Sequence, residues 1–380
     1  MLDRTKVAQE LERVSGSLFK ERKSIAWLTK DIWQQIVDDS SFIKRVEHAR
    51  KNQSLALWQD SLNIIKQMKK GLPAYSVIAV DGSQIYPDHH VQGTDCFLVN
   101  AAGCFLSYKT SGMAQFFSEP QVFVPEYFLS IFPYFSIDLV DLVREEKEFN
   151  LMVAHAPQLQ KMNSDRPLLA LFDGNLLFWH LQAKPSHVRD FFVQKYCDKL
   201  EQLYQERVLV AGYLSASQFR DLVDICKAGL PGVIDLNEAL RGQLLQQLET
   251  MTDVDLLEYV LAPYERTTIL SSTIDITALY PAALKPYFFY LHVGTEIVRI
   301  EIPAWIAADE TMVDTICDIC LDQCTKGYGY PVALAEAHGH AVVKGADRDF
   351  FYHMIYKQAV SQNKRIMLSQ KSLKKRLMSI

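Results

Sequence analysis

Ser76-Val77-Ile78-Ala79-Val80-Asp81-Gly82-Ser83 and Leu168-Leu169-Ala170-Leu171-Phe172-Asp173-Gly174-Asn175 are the two stretches that decide the fold. Each is a short run of apolar residues that stops at Asp-Gly. A run without polar alternation is the pattern of a strand buried on both faces. Between the two lie strand segments over 96–101 and 104–109, separated by Ala102-Gly103, which reads as a hairpin. A loop carrying Pro120, Pro125 and Pro133 follows. Then comes a helix over 137–156, with Leu139, Leu142, Val143, Phe149, Met152 and Val153 as its apolar members.

Strand, two-stranded hairpin, helix, strand is a particular order. It opens the RNase H-like fold, in which three antiparallel strands lead through a crossover helix to a fourth strand, parallel to the first and beside it. Asp81 and Asp173, each ending a central strand, would then be neighbours. Working outward, residues 1–70 read as helical throughout. Leu55, Leu57, Trp58, Leu62, Ile65 and Met68 recur at roughly helical spacing, and Gly71-Leu72-Pro73 ends the run. Beyond Asp173 the pattern predicts a helix over 185–206, a strand over 208–213 and a mainly helical insertion or second layer over 217–262. A hairpin of 287–293 and 297–302 flanks Gly294-Thr295-Glu296, and helices are expected over 309–325 and from Asp347 onward. The fold class is α/β: an RNase H-like mixed sheet flanked by helices, with a helical N-terminal extension (1–70), a core over 71–350 that includes the helical insertion, and a basic C-terminal helix or tail (351–380).

With 380 residues, 49% hydrophobic and 22% charged, the chain has the composition of an ordinary globular protein and ample length for a core. Its first residues, Met1-Leu2-Asp3-Arg4-Thr5-Lys6, carry mixed charge and no secretory pattern. The longest apolar stretches, 168–172 and 176–179, are too short to cross a bilayer. The expectation is a cytoplasmic protein without a membrane partner. A net charge of −5 argues against coating nucleic acid through bulk electrostatics, though not against a local basic groove. Lys364, Arg365, Lys371, Lys374, Lys375 and Arg376 form one basic concentration, either a solvated tail or a contact to DNA or a partner. The seven cysteines show no disulfide-framework spacing. Cys317, Cys320 and Cys324 share one helix face but lack a fourth metal ligand, so they read as core.

Two carboxylates at adjacent strand ends raise each other's pKa unless a cation lies between them. Hard oxygen donors favour Mg²⁺ or Mn²⁺. Such ions lower the pKa of bound water and clamp the attacking and leaving oxygens of a phosphodiester. The glycine after each Asp is expected to turn the backbone sharply and leave room for substrate. One Asp-Gly is an ordinary turn. Two, each directly after a buried strand, point to a metal site, with a pair of plain turns as the alternative. On the intervening helix, Glu145, Glu146 and Glu148 follow Arg144. Glu145 and Glu148 share a face, and either could point at the metals unless it is simply solvated.

Several blocks together resemble the NurA nucleases. Val80-Asp81-Gly82-Ser83-Gln84-Ile85, followed by Pro87-Asp88-His89-His90, is similar to the family's first motif. Arg144-Glu145-Glu146-Lys147-Glu148-Phe149 resembles its glutamate helix, and Leu171-Phe172-Asp173-Gly174-Asn175-Leu176 its second aspartate strand, with Asn175 where Ser is more usual. Ala211-Gly212-Tyr213-Leu214-Ser215 resembles its tyrosine-serine strand, although Ala216 replaces a basic residue and leaves Arg220 as the nearby cation. Thr252-Asp253-Val254-Asp255-Leu256-Leu257 and Pro263-Tyr264-Glu265-Arg266-Thr267 are similar to an Asp-bearing helix and the turn after it. Gly329-Tyr330-Pro331 through Ala337-His338 resembles the closing motif.

This resemblance implies that Asp81 and Asp173 are the principal metal ligands, completed by Glu148 in preference to Glu145. Asp253 and His338 would finish the acidic centre, with His338 as a ligand or proton-transfer group. Tyr213 would position the phosphate, with Ser83 and Arg220 as further substrate contacts. The plain alternatives are a helix cap for Asp253, with Asp255 as the other carboxylate, a structural histidine at 338, and loop residues at His89-His90. The family further implies two Mn²⁺ or Mg²⁺ ions, 5′→3′ exonuclease and single-strand endonuclease activity in DNA end resection, a homodimer and a HerA-type hexameric translocase as partner. Rival readings are a non-catalytic DNA-binding module on the same fold and a metal phosphoesterase acting on RNA or small nucleotides.

Overall fold

The computed structural model describes residues 2–18, 28–68, 71, 74–87, 91–92, 96–108, 112–129, 131–133, 135–232, 237–364 and 367–368. Seven strands form the body of one mixed sheet: β1 (Tyr75–Ile85), β2 (Phe97–Tyr108), β3 (Met113–Phe123), β4 (Leu168–Asp173), β5 (Leu209–Leu214), β6 (Pro286–His292) and β7 (Ile297–Pro303). Their spatial order is β6-β7-β5-β4-β1-β2-β3, and short strands near residues 57, 66, 266 and 270 extend the β6 side. The expected order of strand types is present, although the third strand, β3, runs through the stretch read as a loop around Pro120. β1, β2 and β3 are antiparallel, and β4 lies parallel beside β1, with Ser76 opposite Leu168 and Val80 opposite Phe172. β5 continues the parallel set, and β7 returns antiparallel to it.

Helices cover both faces. Along β1 successive side chains alternate between faces, and this separates the layers. Gly82 faces helix α1 (Asp138–Met162), with α2 (Ser186–Gln205) packed beside it. Asp81 and Ser83 face the opposite way, toward α4 (Val332–Ala341), which follows α3 (Glu310–Lys326). Because every position of 77–80 and 168–172 is buried, both sheet faces must be covered, as the unbroken apolar runs demand. Cys317, Cys320 and Cys324 are buried on α3, in keeping with their reading as core.

Three local expectations are corrected. Ala102-Gly103 is not a hairpin: β2 runs straight through it and pairs antiparallel with β3. Gly103 is there for close packing, since a Cβ would stand 2.5 Å from the Ala79 carbonyl oxygen and 2.6 Å from the Phe117 ring. β1 does not stop at Asp81-Gly82-Ser83, because β2 goes on pairing with it as far as Ile85 opposite Leu98. Residues 55–68 are not helical. Leu57–Trp58 pairs with Leu270–Ser271, and Ile65–Gln67 with Glu265–Thr267. Asp60 turns the chain between them with φ of 50°, and Leu57 stays 45% exposed, so the apolar spacing that imitated a helix belongs to two short edge strands.

A second apolar cluster lies beyond β7. Trp33, Ile36, Val37, Phe42 and Val46 from the N-terminal helices Lys30–Asp38 and Ser40–Ala49 pack with Leu222, Val223, Ile225, Leu244 and Leu256 from the 217–262 region. The latter is mainly helical, as expected (Asp221–Gly229, Glu238–Leu248, Asp253–Leu257). Among the described residues no helix is long and apolar enough to cross a membrane. Residues 88–90, including His89 and His90, and the basic positions 365 and 371–376 lie outside the described residues.

Candidate active site

The parallel ladder between β1 and β4 makes its last pairing at Val80 opposite Phe172, and the next residue on each strand is an aspartate. Asp81 and Asp173 therefore emerge side by side where two parallel strands part, on the face covered by α3 and α4. Carboxyl ends of parallel strands are where open α/β sheets place their ligands. His338 reaches Asp81 from α4, with Nδ1 2.7 Å from Oδ2, while its side chain stays 65% exposed. The Tyr330 hydroxyl, just ahead of α4, donates to Asp173 Oδ2 at 2.8 Å. Partial enclosure raises the Asp173 carboxyl above its ordinary range, and the Asp81 charge adds to this. The Tyr330 hydrogen bond and the nearness of His338 oppose the rise.

The third carboxylate comes from the other side of the sheet. Glu148 lies over Gly82, where a Cβ would be 2.5 Å from its Oε1 and 2.7 Å from Arg144 Cγ. The glycine after Asp81 thus neither turns the chain nor leaves room for substrate: it admits a glutamate. Gly174 does turn the chain, with φ of 143° and no heavy atom near its Cβ direction. Burial pushes the Glu148 carboxyl up to about 8, with Asp81 and Glu145 adding to the rise and its ion-pair partner Arg144 opposing it. Arg144 stays protonated despite burial because Glu148, Glu145, Asp81 and Asp141 surround it. Glu145 turns away to His180, whose Nε2 is 3.0 Å from its Oε2, which leaves Glu148 as the better-placed member of the pair.

Among the described residues no three Asp, Glu, His or Cys side chains converge as a finished ligand set. The donor chemistry nevertheless fits a hard divalent cation. Asp81, Asp173 and Glu148 offer only oxygens, and two of the three resist ionisation as they stand.

Four other expected site residues are elsewhere or otherwise engaged. Asp253 is wholly buried beside the second apolar cluster, accepting from the Val223 amide at 2.9 Å and the Tyr290 hydroxyl at 2.6 Å. It does not join Asp81 and Asp173. The cap of its helix is made by Thr252 with Asp255, in a capping box. Tyr213 is also fully buried, its hydroxyl 3.3 Å from Cys324 Sγ, so it cannot reach a phosphate. Arg220 gives its guanidinium to the Leu248 and Met251 carbonyls at the end of the Glu238–Leu248 helix. Ser83 donates to the Ala341 carbonyl, tying α4 to β1.

The family model for the NurA domain matches residues 75–343. The chain belongs to the NurA family. In fold it is similar to the NurA nuclease from Sulfolobus solfataricus, with 14% identity, 95% of this chain and 98% of that chain covered, and a TM-score of 0.53. A second NurA structure, determined with manganese, aligns over 83% of this chain and 96% of its own at 12% identity, with a TM-score of 0.36. No curated protein sequence matches the chain. Within the family's span, Tyr330 and Arg144 make contacts that sequence reasoning left without a role. Tyr330 stands in the closing motif, and Arg144 stands four residues before Glu148, a spacing that pairs on a helix. His180 carries no sequence signal.

Proposed function

We propose that this chain is a metal-dependent nuclease that hydrolyses phosphodiester bonds in DNA. The observation that carries the reading is the pair of aspartates directly after the last rung of two neighbouring parallel strands. Asp81 and Asp173, with Glu148, would hold Mn²⁺ or Mg²⁺, which supplies an acidified water and neutralises charge gathering on the phosphate. Tyr330 holds the Asp173 carboxylate in one orientation through its 2.8 Å hydrogen bond. His338, fixed through Nδ1 by Asp81 and otherwise open to solvent, is the group that accepts or delivers a proton. Membership of the NurA family supports the same assignment.

The test is degradation of end-labelled linear and single-stranded DNA with Mn²⁺, Mg²⁺, Ca²⁺ or EDTA, comparing wild type with Asp173→Asn. Cleavage with Mn²⁺ that the variant loses is the expected result. Wild type inert on both DNAs with Mn²⁺ would leave a binding module as the better reading. RNA that outcompetes DNA would favour a phosphoesterase of another substrate class. The proposal extends to two ions, 5′→3′ polarity, single-strand endonuclease activity in end resection, a homodimer and a HerA-type translocase, all drawn from the family resemblance. Duplexes labelled at one end or the other read polarity, and light scattering with and without such an ATPase reads assembly.

A further inference from the structure

Beside Asp173 the molecule carries a cavity that the proposed chemistry does not use. It has a volume of about 410 Å³ and lies where the turn after β4 meets the turn after β5, lined among others by Asn175, Trp179, Leu214, Ala216, Gln218 and Phe219. That volume falls within the range of clefts that hold small ligands. Trp179 is 49% exposed although it begins a short 3₁₀ turn directly after the buried run Leu176-Leu177-Phe178. Its ring meets Phe219 at right angles with centroids 6.5 Å apart, so two aromatic surfaces form a corner. Asn175 sits at the edge of that corner, and its Oδ1 is shielded from solvent with no hydrogen-bond partner. Ala216 shapes the opposite wall with φ of 47°, a left-handed conformation that a residue other than glycine seldom adopts.

We infer that this corner is a nucleobase site: it takes one base of a single strand whose phosphate lies at the Asp81–Asp173 pair. The inference rests on the nuclease reading and adds to it where the base goes. Two features point to a base. The site is close to the acidic pair, since Asn175 on its wall follows Asp173 by two residues, a span of about 7 Å at most. An exposed indole beside a second ring is the surface on which bases stack without regard to sequence. A base in a duplex has both faces covered, so occupancy requires an unpaired or extruded nucleotide.

The experiment measures binding of the full-length protein, with Ca²⁺ in place of Mn²⁺, to a fluorescein-labelled oligothymidine and to an abasic strand of the same length. Fluorescence anisotropy is read for wild type, Trp179→Ala and Trp179→Phe. Wild type should bind the base-bearing strand about tenfold or more tightly than the abasic one. Trp179→Ala should lose that preference and bind both strands at the abasic level, while Trp179→Phe keeps most of it. Equal binding of both strands by wild type, or a preference undiminished in Trp179→Ala, overturns the inference. A loss of affinity for both strands alike in Trp179→Ala marks a structural tryptophan and also overturns it. If Trp179→Ala does not fold, the wild-type comparison of strands and the Phe variant still decide. Wild type that binds neither strand contradicts DNA as the substrate, a failure distinct from equal binding of the two.

Discussion

Two groups of acids share one sheet and have opposite fates. Where β1 and β4 part, Asp81 and Asp173 face each other's charge at the edge of solvent. Glu148 adds its own to Asp81 from the far side of the sheet, opposed by Arg144 beside Glu148 and by His338 near the aspartates. Near β6 and β7, Asp221 and Glu301 flank Arg299, which is fully buried, and Tyr290 links it to Asp253. Its guanidinium donates to Asp221 at 2.7 Å and to Glu301 at 2.9 Å and lies 3.5 Å from the Phe288 ring centroid. Glu301 also accepts the Leu176 and Leu177 amides at 2.8 Å each, which fixes the chain just beyond Asp173. The second group commits its oxygens to protein donors inside the core. The first is open, with Asp173 exposed and His338 facing solvent. A carboxylate cluster that keeps oxygens within reach of solvent is the one suited to take a cation from solution.

The largest expected effect tests the open group. Asp173→Asn should lower Mn²⁺-supported cleavage about a thousandfold or more while leaving the melting temperature nearly unchanged, because the residue is exposed. Unaltered cleavage would remove it from the chemistry. In the closed group the effect moves to stability. Arg299→Met strands Glu301 and Asp221 without their cation and should cost about 3–5 kcal/mol in urea unfolding. A midpoint within error of wild type would show the network to be dispensable. Asp253→Asn should cost less, about 1–3 kcal/mol, and folded protein should keep its cleavage rate. A rate loss as deep as that of Asp173→Asn would return Asp253 to the catalytic group.

The smallest effect is a pH dependence. Burial holds Glu148 up to about 8, and burial with the Asp221 charge holds Asp253 up to about 7. Unfolded, both titrate near the ordinary carboxylate range, so between about pH 4.5 and 8 the folded chain binds more protons than the unfolded one. Their contribution to stability is therefore full below that window and lost as pH rises through it. Without divalent metal, the melting temperature should fall by a few degrees from about pH 5.5 to 8, and Asp253→Asn should flatten part of the slope. A melting temperature that rises over that range in the metal-free protein would contradict these assignments.

The placement of Asp81, Asp173, Glu148 and His338 about the parting of β1 and β4 was legible because each stands at a place that local pattern reveals: the end of an unbroken apolar run, a helix face, or a motif ordered along the chain. The parallel pairing of β1 with β4 followed from element order. What failed depended on contacts between distant segments. Gly103 looks like a turn until Ala79 and Phe117 close on it, and residues 55–68 look helical until Leu270 and Thr267 pair with them. Tyr213 and Asp253 fall in motifs of the right kind, yet one strand position and one helix start carry no sign of being sealed by Cys324 or Tyr290. Burial of a polar side chain is decided by what packs over it, and sequence spacing does not record that.

The most direct measurement is calorimetric titration of Mn²⁺ into the metal-free protein and into Asp173→Asn and Asp253→Asn. The account predicts binding by wild type and Asp253→Asn, and a loss of at least about tenfold in affinity for Asp173→Asn. It is contradicted if wild type takes up no Mn²⁺, or if Asp253→Asn loses the ion as completely as Asp173→Asn.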